Sequence, residues 1–340
     1  MSNQSTQPDK KVLGELHDAL IKGGKNTTCL YPGCGEKPIG SHIIPERILK
    51  LIADKSEVLT WNPSFTSIRK NLEAGLTVEQ LYLEPTAVGL NTVTYPLFCG
   101  NHDSTVFAPL EKVEFSSQSE QILLLAYRAL CAISYRPPPI EQFLTIAERH
   151  GHRHTLSLPE PSARLQRYLA RDILLEARQR HEQILLAHNY NQLGWAIYPV
   201  NIQPCIACTY AFVPYDDIEA KDIRNGLQAL TAEDVFVFSL FPHKPLNNHV
   251  CVISWLRGSQ RAQRVFHLKR INELSEQEQQ DVLLSTAFRS NHVYLSPSWW
   301  NSLSEEQRRY YVELSLATSK EFSQSFYPYF EGERGSDVER

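Results

Sequence analysis

Two short cysteine and histidine spacings constrain this chain more than anything else in it. The stretch "CLYPGCGEKPIGSHIIPERIL" carries Cys29 and Cys34 in C-x4-C spacing, and "YPLFCGNHDSTVFAPLE" carries Cys99 and His102 in C-x2-H spacing. Zinc takes four soft or borderline ligands in a tetrahedron, and two close pairs held in tight turns supply them with little chain to order. Gly33 and Gly35 flank Cys34 and would permit the left-handed backbone of such a turn. Cys29, Cys34, Cys99 and His102 are therefore read as ligands of a structural Zn2+. His42 is the alternative fourth ligand; the apolar "IIP" after it places it on or at the end of a strand, so His102 is preferred.

The cysteines do not form a disulfide scaffold: seven in 340 residues are too few and too uneven. The N-terminal "MSNQSTQPDKK" lacks a signal-peptide pattern, and no apolar run approaches the ~20 residues that cross a bilayer. A cytoplasmic protein with no membrane partner is expected. Net charge of −4 and pI ≈ 6.3 exclude a generally polycationic surface, so any contact with nucleic acid must use local basic patches.

The texture divides the chain into an N-terminal tail and helix at 1–28, a metal-finger domain at 29–115, a helical segment at 116–190, an α+β domain at 191–330 and a tail at 331–340. Apolar spacing over Val12, Leu13, Leu16, Leu20 and Ile21, stopped by Gly23 and Gly24, predicts the first helix. The helical segment should contain a buried helix in "SSQSEQILLLAYRALCAISYRPPP", a second in "IEQFLTIAERHG" and a longer third running from Pro161 to about Tyr190. Strands are predicted in "WAIYPVNI", "CIACTYAFVPY", "DVFVFSLFP", "HVCVISWLR" and "RVFHLKRI", with "FPHKPLNNHV" as a hairpin loop. Helices follow in "SEQEQQDVLLSTAFRS" and "SEEQRRYYVELSLATSKEF". The fold class expected is α+β: a small zinc-stabilised ββα finger, a helical middle and a C-terminal mixed α/β domain with antiparallel strands.

The cysteine pair, "SHIIP", a following Asn and "LFCGNHD" resemble the HNH, or His-Me finger, endonucleases over about residues 29–110. That family shows a cysteine pair, D-H-I-x-P, an Asn, then L-C-x-x-C-H. The resemblance implies a ββα-metal fold of treble-clef type in which His42 is the general base that activates water and Asn91 steadies its loop. Asn62 and Asn71 are the alternatives to Asn91. His102 falls where the family has its last zinc ligand, and Asp103 where it has the histidine that binds a catalytic Mg2+ or Mn2+. Ser41 stands where the family has a metal-binding Asp, and a neutral hydroxyl is a weaker ligand for a hard cation. The interval from His42 to Cys99 is long and implies an insertion.

Beyond the finger, Cys205-Ile-Ala-Cys208 reads as two core residues, expected on opposite faces of a strand. His150, His152 and His154 read as a solvated loop. Arg164, Arg167 and Arg171, continued by Arg178 and Arg180, form the best basic stripe, although Asp172, Glu176 and Glu182 would pair with parts of it. Arg264 belongs to a second basic stretch, Arg257 to Arg270, that could track a phosphate backbone. The leading expectation is an HNH-like metal-dependent nuclease, acting on DNA and fitting defence against foreign DNA. The alternative is a non-catalytic zinc protein whose treble-clef module is structural and whose C-terminal half binds or senses a partner. Protein partners and homo-oligomers are left open.

Overall fold

The structure is a computed structural model and describes residues 27–61, 85–134, 161–203, 205–212, 231–246, 248–258, 274–288, 290 and 292–316. The first predicted helix, the one expected at "IEQFLTIAERHG", the strand expected at "RVFHLKRI", the His150 to His154 cluster and both alternative asparagines lie outside these residues.

Strand β1 (Gly40–His42) leads into a short helix, α1 (Glu46–Leu49). Then come β2 (Glu57–Thr60), β3 (Thr86–Gly89) and β4 (Thr94–Pro96). Helices α2 (Gly100–Thr105), α3 (Ala108–Glu111), α4 (Ser119–Ser134) and α5 (Pro161–Ala187) follow. The chain continues through β5 (Leu193–Val200), β6 (Ile206–Phe212), β7 (Phe236–His243) and β8 (Asn248–Leu256). It ends in α6 (Glu276–Phe288), β9 (Val293–Leu295), α7 (Pro297–Ser302) and α8 (Glu305–Leu316).

Among the described residues the strands make two sheets, and every pairing is antiparallel. β1 pairs with β4, Ser41 opposite Tyr95, and the other seven strands run in the order β3-β2-β9-β6-β7-β8-β5. The protein is thus α+β, with helices against antiparallel sheet. The large sheet is covered on both faces, which explains why β7 is apolar on both of its faces, with Ser239 the one polar residue between Phe236 and Pro242. Val237 and Phe241 face the core shared with α4, whereas Phe236, Phe238 and Leu240 face a second core shared with Phe288, Trp300 and Val312. On β8, Val250 and Val252 take the first side and Cys251 and Ile253 the second. The predicted hairpin between β7 and β8 is present, with His243 opposite Asn248.

Two features were not anticipated. The segment between β1 and β4 contributes β2 and β3 to the C-terminal sheet, where Leu59 meets Leu295 of β9. Asp54 reinforces this junction, its carboxylate accepting the Ser298 N–H at 2.6 Å. The expected division between 29–115 and 191–330 therefore coincides with no break in packing: Cys29, Phe98 and Cys99 belong to the same core as Val237 and Val252. Helix α4 is that core's axis. It is buried continuously from Ile122 to Leu130, as its apolar run predicts, and it packs against β5, β6, β7 and β8. Among the described residues no helix is long and apolar enough to cross a membrane.

A candidate metal centre

The first half of the centre is the turn from Cys29 to Glu36. The Cys29 N–H donates to the Glu36 carbonyl at 2.7 Å, the Cys34 N–H to the Tyr31 carbonyl at 3.1 Å, and the Tyr31 N–H to the Cys29 sulfur at 3.4 Å. Gly33, at φ +73°, supplies the left-handed residue that closes the turn. Gly35, paired with it in the sequence reading, has no such φ.

The second half is the start of α2. Cys99 precedes the helix in an extended conformation, and His102 lies in its first turn. Backbone bonds strap the two halves together: the Leu30 N–H donates to the Leu97 carbonyl at 2.8 Å and the Ile39 N–H to the Phe98 carbonyl at 2.7 Å. Ser41 adds a third tie, its hydroxyl accepting the Phe98 N–H at 3.3 Å while fully buried. At Gly40 a Cβ would come within 2.7 Å of the Thr94 hydroxyl, so a larger residue there would make the Thr94 side chain shift.

These turns converge four side chains. His102 Nδ1 lies 3.2 Å from the Cys99 sulfur and 3.5 Å from the Cys29 sulfur, and the Cys34 and Cys99 sulfurs are 3.9 Å apart. All four ligand atoms fall within 4.8 Å of one another, so the group could hold a metal ion. It is the one such group of Cys, His, Asp and Glu among the described residues. Tyr31 stacks on the His102 ring at 4.0 Å and 19°, fixing the plane in which Nδ1 faces the sulfurs. Burial pushes the Cys29 thiol up to about 11, whereas the backbone N–H of His102 holds Cys99 below the ordinary thiol value.

The residues expected to do chemistry are placed differently. His42 lies on β1, as its sequence context predicts, and it is not a member of the cluster. Its Nε2–H donates to the Leu90 carbonyl at 2.9 Å, which leaves Nδ1 as the basic nitrogen. The group that steadies His42 is therefore the backbone of Leu90; the neighbouring Asn91 is exposed. Asp103 is committed elsewhere, its carboxylate 3.4 Å from Arg128, a fully buried residue on α4. No hydrogen bond or ion pair joins His42 to Asp103 among the described residues.

Arg128 and its neighbour Tyr127 are the residues that sequence reasoning missed. The signal was available: Arg128 is a lone charge inside the apolar run "ILLLAYRALCAI". A charge placed there must find partners, because an unpaired buried ion costs several kcal/mol.

The basic stripe is only partly described. Arg164, Arg167 and Arg171 lie on α5, but their side chains fall outside the described residues, as does Arg264 altogether. Arg178 pairs with Glu182 at 3.1 Å, the intrahelical arrangement anticipated, and Arg180 pairs with Glu233 at 2.6 Å. Cys205 and Cys208 are buried core thiols, raised by desolvation. Contrary to expectation they enter the same core and not opposite faces, because Cys205 precedes β6, where alternation begins. No protein-family model, no curated protein and no solved structure matches this chain.

Proposed function

We propose that the chain is a zinc-binding protein in which Cys29, Cys34, Cys99 and His102 hold one structural Zn2+ and thereby form a ββα finger of treble-clef type from β1, β4 and α2. The convergence of four ligand atoms within 4.8 Å carries this reading. A tetrahedral site with bonds of about 2.3 Å to sulfur and 2.0–2.1 Å to nitrogen has S···S edges near 3.8 Å and S···N edges near 3.6 Å. The separations of 3.9, 3.5 and 3.2 Å lie close to those edges. Four protein ligands leave no open position for water or substrate, which is the mark of a structural site and not of a catalytic one. The rest of the molecule then serves as a binding or sensing domain built on the large sheet.

A second reading, an HNH-like nuclease, is favoured by one observation: the Leu90 carbonyl fixes His42 in the tautomer whose Nδ1 can accept a proton from water. What weakens it is the fate of the two groups that would hold Mg2+ or Mn2+. The Ser41 hydroxyl is buried on the Phe98 N–H, and the Asp103 carboxylate is paired with Arg128. DNA as substrate and a role in defence belong to this second reading alone.

Incubating the purified chain with supercoiled plasmid and Mg2+ or Mn2+ separates the two. The structural reading expects no cleavage in the parent and the same result in His42→Ala. Cleavage by the parent that is lost in His42→Ala, with zinc content retained, would establish the nuclease.

A further inference from the structure

We propose that Tyr127 and Arg128 are positioning residues for the metal centre, and that through them metal occupancy is coupled to the packing of the seven-stranded sheet. The inference rests on the reading that the Cys3His cluster binds metal.

The two residues are neighbours on α4, and each grips a different half of the centre. Tyr127 is fully buried, and its hydroxyl faces the Leu30 carbonyl at 3.1 Å and the Glu182 carboxylate at 3.3 Å. Leu30 follows Cys29, so this contact sets the depth of the first turn. Arg128 grips the second half. Its Nη1 lies 2.5 Å from Glu111 and its Nη2 3.4 Å from Asp103, and its guanidinium sits 4.2 Å over the Phe107 ring. Asp103 follows His102, and its N–H donates to the Cys99 carbonyl at 2.9 Å, so it belongs to the turn that presents both ligands.

Arg128 has no exposed surface, and among the described residues its Nε has no hydrogen-bond partner. Its charge is tolerated because Asp103 and Glu111 are held in place, and removing a partner from a buried ion is far more destabilising than never having built the pair. Loss of the metal frees the turn from Cys99 to His102 and moves Asp103 with it. The uncompensated charge is then stranded on the helix that packs against β5, β6, β7 and β8. By linkage the reverse holds as well: loosening α4 weakens the metal.

The five tryptophans allow this to be read cleanly. Trp195 and Trp255 lie on β5 and β8, Trp299 and Trp300 on α7, and Trp61 directly follows β2; none lies in the turns that bear the ligands. Tryptophan fluorescence therefore reports the sheet and its covering helices.

The test is a double-mutant cycle on the full chain with Cys34→Ser and Arg128→Met, following thermal unfolding by tryptophan fluorescence and metal content by elemental analysis. Asp103 and Glu111 are 23% and 25% exposed and can be rehydrated, so Arg128→Met retains a folded sheet. The coupling predicts that Cys34→Ser lowers the unfolding midpoint of the parent, and that the shift falls to about half or less in the Arg128→Met background. Equal shifts in both backgrounds, with zinc present in the parent, would overturn the coupling and leave the metal site standing. A parent that binds no zinc overturns both. Tyr127→Phe gives a milder check: transfer of zinc to a chromophoric chelator should be roughly three- to tenfold faster than in the parent, as for loss of one buried hydrogen bond. An unchanged rate would contradict the role of Tyr127, because a residue that serves only the core would not alter metal release.

Discussion

The region around the metal centre and the region of the large sheet are stabilised in opposite ways. Around the centre, strands of three residues and helices of four and six carry few buried side chains of their own, and the local structure rests on turns, backbone straps and four converging side chains. In the sheet, β7 and β8 bury almost every side chain, and order follows from alternation between two cores. The first region should fail as a unit when one ligand is lost, whereas the second should lose stability in proportion to the surface removed. A structural zinc contributes on the order of 10–16 kcal/mol of apparent binding energy in small peptides, against about 25 cal/mol per Å2 for apolar burial.

The largest effect is expected from Cys99→Ser, which removes one of the four side chains proposed to hold the metal. Zinc content should drop to background, and limited proteolysis should open between Cys29 and Glu111. A variant that keeps its zinc and its protease resistance would abolish the contrast. Next comes Phe238→Ala, a fully buried ring in the second core. It should cost about 3–5 kcal/mol in denaturant unfolding while leaving zinc content at the parental value, as expected for a large-to-small core change.

Smaller still is a pH effect within the sheet. Burial lowers His249 to about 4 from an ordinary value near 6.5, so the ring is neutral in the folded chain and gains a proton on unfolding. Its contribution is complete above pH 6.5 and is lost as pH falls from about 6.5 to about 4. Thermal midpoints should decline across that window by the equivalent of roughly 1–3 kcal/mol, and His249→Gln should flatten part of the slope. An unchanged slope would assign the acid sensitivity to other groups, His181 and His292 among them, which burial also lowers to about 4. The smallest effect is expected for Cys208→Ala, where a small buried group is trimmed at a cost of roughly 1–2 kcal/mol with no change in metal content. Loss of zinc on that substitution would break the distinction between core thiols and ligand thiols.

What could be read from the sequence followed the same divide. The convergence of Cys29, Cys34, Cys99 and His102 was legible because its spacing is local: two short pairs, one closed by Gly33 in a left-handed turn. Strands β5 to β8 and the buried helix α4 were legible from apolar patterning. Pairings between distant segments were not. Leu59 meets Leu295 across more than two hundred residues, and β9 is three residues long, so neither leaves a periodic signature. Residue type also leaves partners unseen. The motif position of Asp103 says nothing of its ion pair with Arg128, nor that of Ser41 of the Phe98 N–H that its hydroxyl accepts.

The most direct measurement is X-ray absorption at the zinc edge of the purified chain, combined with elemental analysis. The account predicts one zinc per chain in a four-coordinate shell of three sulfurs near 2.3 Å and one nitrogen near 2.0–2.1 Å. A folded, zinc-free protein, or a zinc shell dominated by oxygen, would contradict it.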